Sequence, residues 1–167
     1  MKYIATFLGL ALIIVAPMAI AGHHGDKPHD HGKKYTSKYK MIKQSPHSVS
    51  TTIDRLEAVI TAKGLNVFTR IDHAKNAEKA GLSLRPAQVL IFGNPKVGTK
   101  LMQANPHIAL DLPMKALAFE DEDGQVHLEI LAPTKLKKRY RIEGHDELFT
   151  KMTGALETFM HTAVAAE

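Results

Sequence analysis

Three groups of residues in this chain have types and spacing that could do chemistry. The first is Gly22-His23-His24. A chain beginning at Gly22 would place the His24 imidazole third in line behind a free amine and two deprotonatable amides. Those four nitrogens can close a square plane, the geometry that Cu(II) and Ni(II) prefer. His29 and His31 follow and could add ligands or take a second ion, Zn(II) included, since neutral imidazole is a common donor to all three metals. The competing reading is a solubilising segment with incidental metal affinity.

The second group is Asp72-His73, at the end of an expected strand, with Asn94 and Asp111 in later loops. If these converge, they form a small polar cluster able to bind a ligand or, as an enzyme, to move a proton. A His beside an Asp is more often a structural pair, and spacing alone does not show convergence. The third group is the loop Gly93-Asn94-Pro95-Lys96-Val97-Gly98-Thr99-Lys100. It imitates a phosphate-binding loop, but Thr99 precedes Lys100 where the motif needs Lys before the hydroxyl residue, and Pro95 interrupts the run of amide donors. What survives is a helix start that, with Lys96 and Lys100, could hold an anion, set against the plainer reading that Asn94-Pro95 makes a turn and caps a helix.

Other chemistry is excluded. Cysteine is absent, so there is no thiol nucleophile, disulfide or cysteine metal site. No serine elbow, His-Glu-x-x-His or glycine-rich dinucleotide turn occurs. The basic run Lys135-Leu136-Lys137-Lys138-Arg139-Tyr140-Arg141 could meet anionic lipid, although a solvated face is the simpler reading. The modest, scattered excess of positive charge does not make a nucleic-acid groove. Met41, Met102, Met114, Met152 and Met160 suit core packing better than Cu(I).

The metal reading depends on where the working chain begins. Lys2, an uncharged apolar run over 4–16, Pro17 and the small-x-small triplet Ala19-Ile20-Ala21 make a secretory signal, with cleavage expected after Ala21. The run is shorter than the roughly 20 residues that span a bilayer. The mature protein is therefore expected to be periplasmic or secreted, without a membrane span and without nucleic-acid partners. Residues 22–36 carry four His, three Lys and three Gly and no aliphatic side chain, which reads as a disordered tail before one domain over 37–164.

Periodicity supplies the elements that must position these groups. Strands are expected at Tyr39 to Lys43, Leu65 to Ile71, Gln88 to Phe92, Lys115 to Glu120 and Gln125 to Leu131. The last two are joined by a tight turn through Asp123-Gly124. One helix starts at the hydroxyl caps around Ser50, carries Ile53, Leu56, Val59 and Ile60 on one stripe and stops at Gly64. A short one spans Ala74 to Ala80. The last, Asp146 to Val164, lines up Leu148, Met152, Leu156, Phe159 and Met160. The main order is strand, helix, four strands, helix. That predicts an α+β fold in which an antiparallel sheet carries both long helices on one face.

Arg85-Pro86-Ala87-Gln88-Val89-Leu90-Ile91-Phe92-Gly93-Asn94-Pro95, with Leu101-Met102 and Ala109-Leu110-Asp111-Leu112-Pro113 after it, resembles the domain of unknown function 302 family. Ile71-Asp72-His73-Ala74 and Ala80-Gly81-Leu82 fit the same pattern, which runs from about Ser48 to Pro133. The resemblance implies a fold similar to the TATA-binding protein, usually as a homodimer, and no established activity. The expectation is thus an exported, non-enzymatic module that binds a small ligand, with Asp72, His73, Asn94, Lys96 and Asp111 as its candidate residues. The alternatives are a small-molecule enzyme using Asp72, His73 and Asn94, or a structural or stress-related dimer without ligand.

Overall fold

The computed structural model describes residues 40–166. The expected signal and tail, with Gly22, His23, His24, His29 and His31, lie outside the described residues. From Lys40 the chain runs β1 (Lys40–Ser45), α1 (Val49–Ala62), β2 (Asn66–Asp72), α2 (His73–Lys79), β3 (Ala87–Gly93) and α3 (Pro95–Ala104). A short 3₁₀ turn (Pro106–Leu110) follows, then β4 (Met114–Glu120), β5 (Val126–Leu131), α4 (Pro133–Arg139) and α5 (Asp146–Val164).

Local chemistry sets the boundaries. The Ser48 hydroxyl accepts from the Thr51 amide at 3.2 Å and so starts α1. Gly64, at φ 73°, ends it in the left-handed region that glycine enters without strain. Asn94 caps α3 by accepting from the Lys96 amide at 2.9 Å, with Pro95 in the first turn. In the turn between β4 and β5, one oxygen of Asp121 accepts from the amides of Asp123 (3.1 Å) and Gln125 (2.8 Å), while Gly124 takes φ 78°. The last carbonyls of α5 have no partners within their own helix. Arg55 of α1 meets them, its Nε donating to Ala163 O at 3.0 Å and its Nη2 to Ala165 O at 2.9 Å.

The five strands lie in the order β1-β5-β4-β3-β2, and every neighbouring pair is antiparallel. Register assigns each side chain to a face, because alternate residues point to opposite sides. One row of paired residues is Arg70, Leu90, Ala116, Ile130 and Met41; the next is Ile71, Val89, Leu117, Glu129 and Ile42. The first row belongs to the face under α1 and α5. There Leu90, Phe92, Met114, Ala116, Ala118, Val126, Leu128 and Ile130 are buried against Ile53, Leu56 and Ile60 of α1 and Phe149, Leu156, Phe159, Met160 and Ala163 of α5. Ala116 and Ala118 keep the central strand thin, which leaves room for the helix layer. The fold is α+β with both long helices on one face, as the sequence pattern predicts.

Three details differ from the pattern. The buried stripe of α5 includes Phe149, while Leu148 and Met152 pack at its margin, because the stripe winds around the helix over nineteen residues. The basic run after β5 forms α4. Pro133 opens it and Leu136 is wholly buried, a single anchor too weak to show as periodicity. β2 carries a register shift between Val67 and Thr69, a bulge that interrupts one edge of the sheet.

Candidate functional site

The expected polar cluster does not form. Asp72 ends β2 opposite Gln88 near the start of β3, whereas Asn94 follows the far end of β3. Six residues of strand at about 3.3 Å each put roughly 20 Å between them. Asp111 and Lys96 lie at the Asn94 end, and His73 is exposed at the start of α2. The enzyme alternative built on Asp72, His73 and Asn94 is therefore withdrawn, and the five residues do not share a pocket.

Each end has its own structural use for these side chains. Asp72 accepts from the Lys75 amide (3.0 Å) and from Gln88 Nε2 (3.0 Å). The Lys75 amide, with the Lys75 charge and Gln88 assisting, holds its carboxyl below the usual carboxylate value. Gln88 Oε1 in turn accepts from Arg70 at 2.6 and 2.8 Å, and Arg70 reaches Asp54 on α1 at 2.5 Å. This is a hydrogen-bonded strut between sheet and helix. At the other end Asp111 accepts from Arg139 Nη1 (2.7 Å) and Tyr140 Oη (2.8 Å). Partial burial alone would raise the Asp111 carboxyl, but those two hydrogen bonds outweigh it and hold it low. The same carboxylate pushes the Tyr140 phenol up. The contact ties α4 to the loop before β4.

A polar pair that sequence reasoning missed sits on the sheet face away from the long helices. His127 Nε2 donates to Asp121 Oδ2 at 2.6 Å, both residues are buried, and the imidazole stacks on Phe119 with ring centroids 5.3 Å apart. Hydrogen bonding from His127 keeps the Asp121 carboxyl below its usual value, helped by the Gln125 and Asp123 amides. Two residues along β5, Glu129 is buried as well and pairs with Lys40. The alternation Val126-His127-Leu128-Glu129-Ile130 marks the polar side of β5 but gives no sign that this side is buried.

A groove of about 530 Å³ lies between edge strand β1 and the second half of α5. Met41 and Met160 supply apolar wall; Lys43, Glu157, Thr158 and His161 supply charge and hydrogen-bonding groups. Its walls come from opposite ends of the chain, so no local spacing announces it. Among the described residues no group of three or more His, Asp or Glu is placed to hold a metal ion.

Comparison with known proteins agrees with the fold and assigns no chemistry. Residues 41–159 match the family model described as "Domain of unknown function DUF302". The fold is shared with the crystal structure of an uncharacterized conserved DUF302 protein from Bacillus stearothermophilus. The TM-score is 0.61 at 18% identity, over 77% of this chain and 97% of that one. Two curated relatives are named fluoride-specific ion channels, FluC 1 of Brucella suis and FluC 2 of Brucella melitensis. Each is 48% identical over 99 residues, which is 59% of this chain but 39% and 37% of theirs. The chain thus spans less than two fifths of the length of the curated relatives it matches. Since the family model covers well over half of it, the chain belongs to the DUF302 family, a domain of unknown function.

Proposed function

We propose that the chain is an exported, non-enzymatic binding module that holds a small ligand in the groove between β1 and α5 and works as a homodimer in the periplasm or outside the cell. The groove carries this reading: apolar Met41 and Met160 lie beside Lys43, Glu157 and His161, which suits a molecule with an apolar body and a charged end. The Brucella relatives fit a modular role, because the shared stretch is a minor part of longer proteins named for fluoride-specific ion channels. Channel activity itself is not proposed for this chain.

Native mass spectrometry of protein purified from its own cells tests the reading. The expected spectrum shows a dimer carrying a small-molecule mass, and that mass is lost from Thr158→Trp, which fills the groove from an exposed position on α5. A ligand-free wild type, or a mass that Thr158→Trp retains, would leave the ligand-free structural dimer as the better account.

A second element of the proposal concerns residues 22–36, where Gly22-His23-His24 supports Cu(II) or Ni(II) binding, and His29 and His31 extend it to Zn(II). A chain starting at Gly22 is expected to bind one Cu(II) with a square-planar nitrogen d–d band that a chain starting at Ser37 lacks. Equal binding by both chains would end the tail reading.

A further inference from the structure

We propose that the α3 end of the sheet is a docking ridge for an anionic lipid surface. Leu110 is 80% exposed, Phe68 51% and Met102 36%, large apolar side chains that water does not favour. Phe68 and Met102 both flank the segment Leu112-Pro113 that follows Leu110. A methyl group placed on Gly93 would touch Pro113 Cβ at 3.6 Å and Phe68 Cε2 at 3.7 Å, and one on Gly98 would touch Met102 Cε at 3.9 Å and Leu112 Cδ1 at 4.0 Å. Phe68 and Pro113 thus meet over Gly93, Met102 and Leu112 meet over Gly98, and the Leu112-Pro113 step joins the two pairs into a ridge, with Leu110 exposed two residues earlier in the chain.

The elements that carry the ridge also carry exposed lysines, those of α3 on the flank of the helix away from Met102. Lys96 and Lys100 are exposed on α3, and Lys115 is exposed on β4 with its Nζ donating to Pro113 O at 3.3 Å. None of the three makes an ion pair among the described residues. The acid within the ridge, Asp111, is neutralised by Arg139 at 2.7 Å. Exposed apolar side chains on elements that also carry exposed lysines match a bilayer interface bearing anionic headgroups: the apolar groups enter the headgroup boundary while the ammonium groups stay at phosphate level, with Lys115 shared between that surface and the Asp111 carboxylate it already favours. Among the described residues no helix is long and apolar enough to cross a membrane, so the contact is shallow and reversible. The basic run of α4 is a poorer candidate, because Lys137 pairs with Asp146 and Arg139 with Asp111.

The test is co-sedimentation of the full mature chain with vesicles of phosphatidylcholine alone or of phosphatidylcholine with phosphatidylglycerol. Binding is expected only with phosphatidylglycerol and weakens as salt screens the lysines. Each basic group near such a surface strengthens binding roughly fivefold, so Lys96→Glu with Lys100→Glu loses at least about 25-fold. Met102→Asp with Leu110→Asp loses at least about tenfold, since burial of their apolar groups disappears. These positions are exposed, so the variants should unfold at the wild-type urea concentration. Lys79→Glu with Arg85→Glu makes the same change in net charge at the opposite end of the sheet and is expected to keep binding within about twofold. An equal loss in that control, wild-type binding to phosphatidylcholine alone, or no binding to either vesicle would overturn the proposal. So would ridge variants that convert a dimer to a monomer without changing vesicle binding, because the ridge would then face a second copy.

Discussion

Leu90→Ala is expected to lower the unfolding free energy by about 3–4 kcal/mol, and Ile91→Ala, one residue along the same strand, by less than half as much. Leu90 is fully buried on the helix-covered face, in the row with Ala116 and Ile130 and beneath α1. Truncation removes its transfer energy and leaves a cavity that a sheet held on both sides by neighbouring strands cannot collapse to fill. Ile91 points to the other face and is only half-buried, so less apolar area returns to water when it is cut back. For a domain whose whole stability is about 5–15 kcal/mol, the first loss is a large share. Urea unfolding midpoints at equal slope measure both. Equal losses at the two positions would mean that the faces are assigned wrongly, and with them the layer order of the fold.

His127→Ala is the second large effect, expected to cost about 2–3 kcal/mol. The change removes a buried ring stacked on Phe119 and takes from Asp121 its shortest hydrogen bond. Asp121 then keeps only the two turn amides as partners in this network. The same network gives stability a pH dependence. The folded Asp121 carboxyl lies below its ordinary value of 3.8, so the folded chain favours the ionised form more than the unfolded chain does. That contribution is complete above the unfolded value and is lost as pH falls through the lower, folded one. Compared with Asp121→Asn, the wild type is therefore expected to have its largest stability advantage at neutral pH. The advantage should shrink below about pH 3.8. An advantage that grew on acidification would contradict the ionised Asp121 carboxylate.

The strands and the two long helices were legible because their apolar residues recur at the right period, and because Gly64, Asn94 and the Asp123-Gly124 turn punctuate them; the hydroxyl cap of α1 lies at Ser48, two residues before the Ser50 that the sequence suggested. α4 was not, since a seven-residue helix with Leu136 as its one wholly buried aliphatic side chain carries no period to detect. The candidate site was less legible for a different reason. Asp72 and Asn94 both stand at the boundaries of strands, which spacing alone cannot place, and strand β3 carries the chain to the opposite end of the sheet between them. Residues 41–43 and 157–162 form the groove although more than a hundred residues separate them, because pairing of β1 with β5 and packing of α5 decide their meeting. His127 and Glu129 follow the alternation of β5 correctly, yet alternation reports which face a side chain takes and not how much water reaches it.

The irregularity in β2 bears on assembly. A strand whose register slips between Val67 and Thr69 presents a broken ladder of amides and carbonyls, which is a poor template for a newcomer. β1, at the opposite border, pairs with β5 residue for residue and shows no such slip. Among the described residues β1 is thus the regular border of the sheet, and a strand added to it would lie beside Met41 and Lys43. A chain that joined there would bring its groove to the seam, so that a bound molecule and the added strand would share one border.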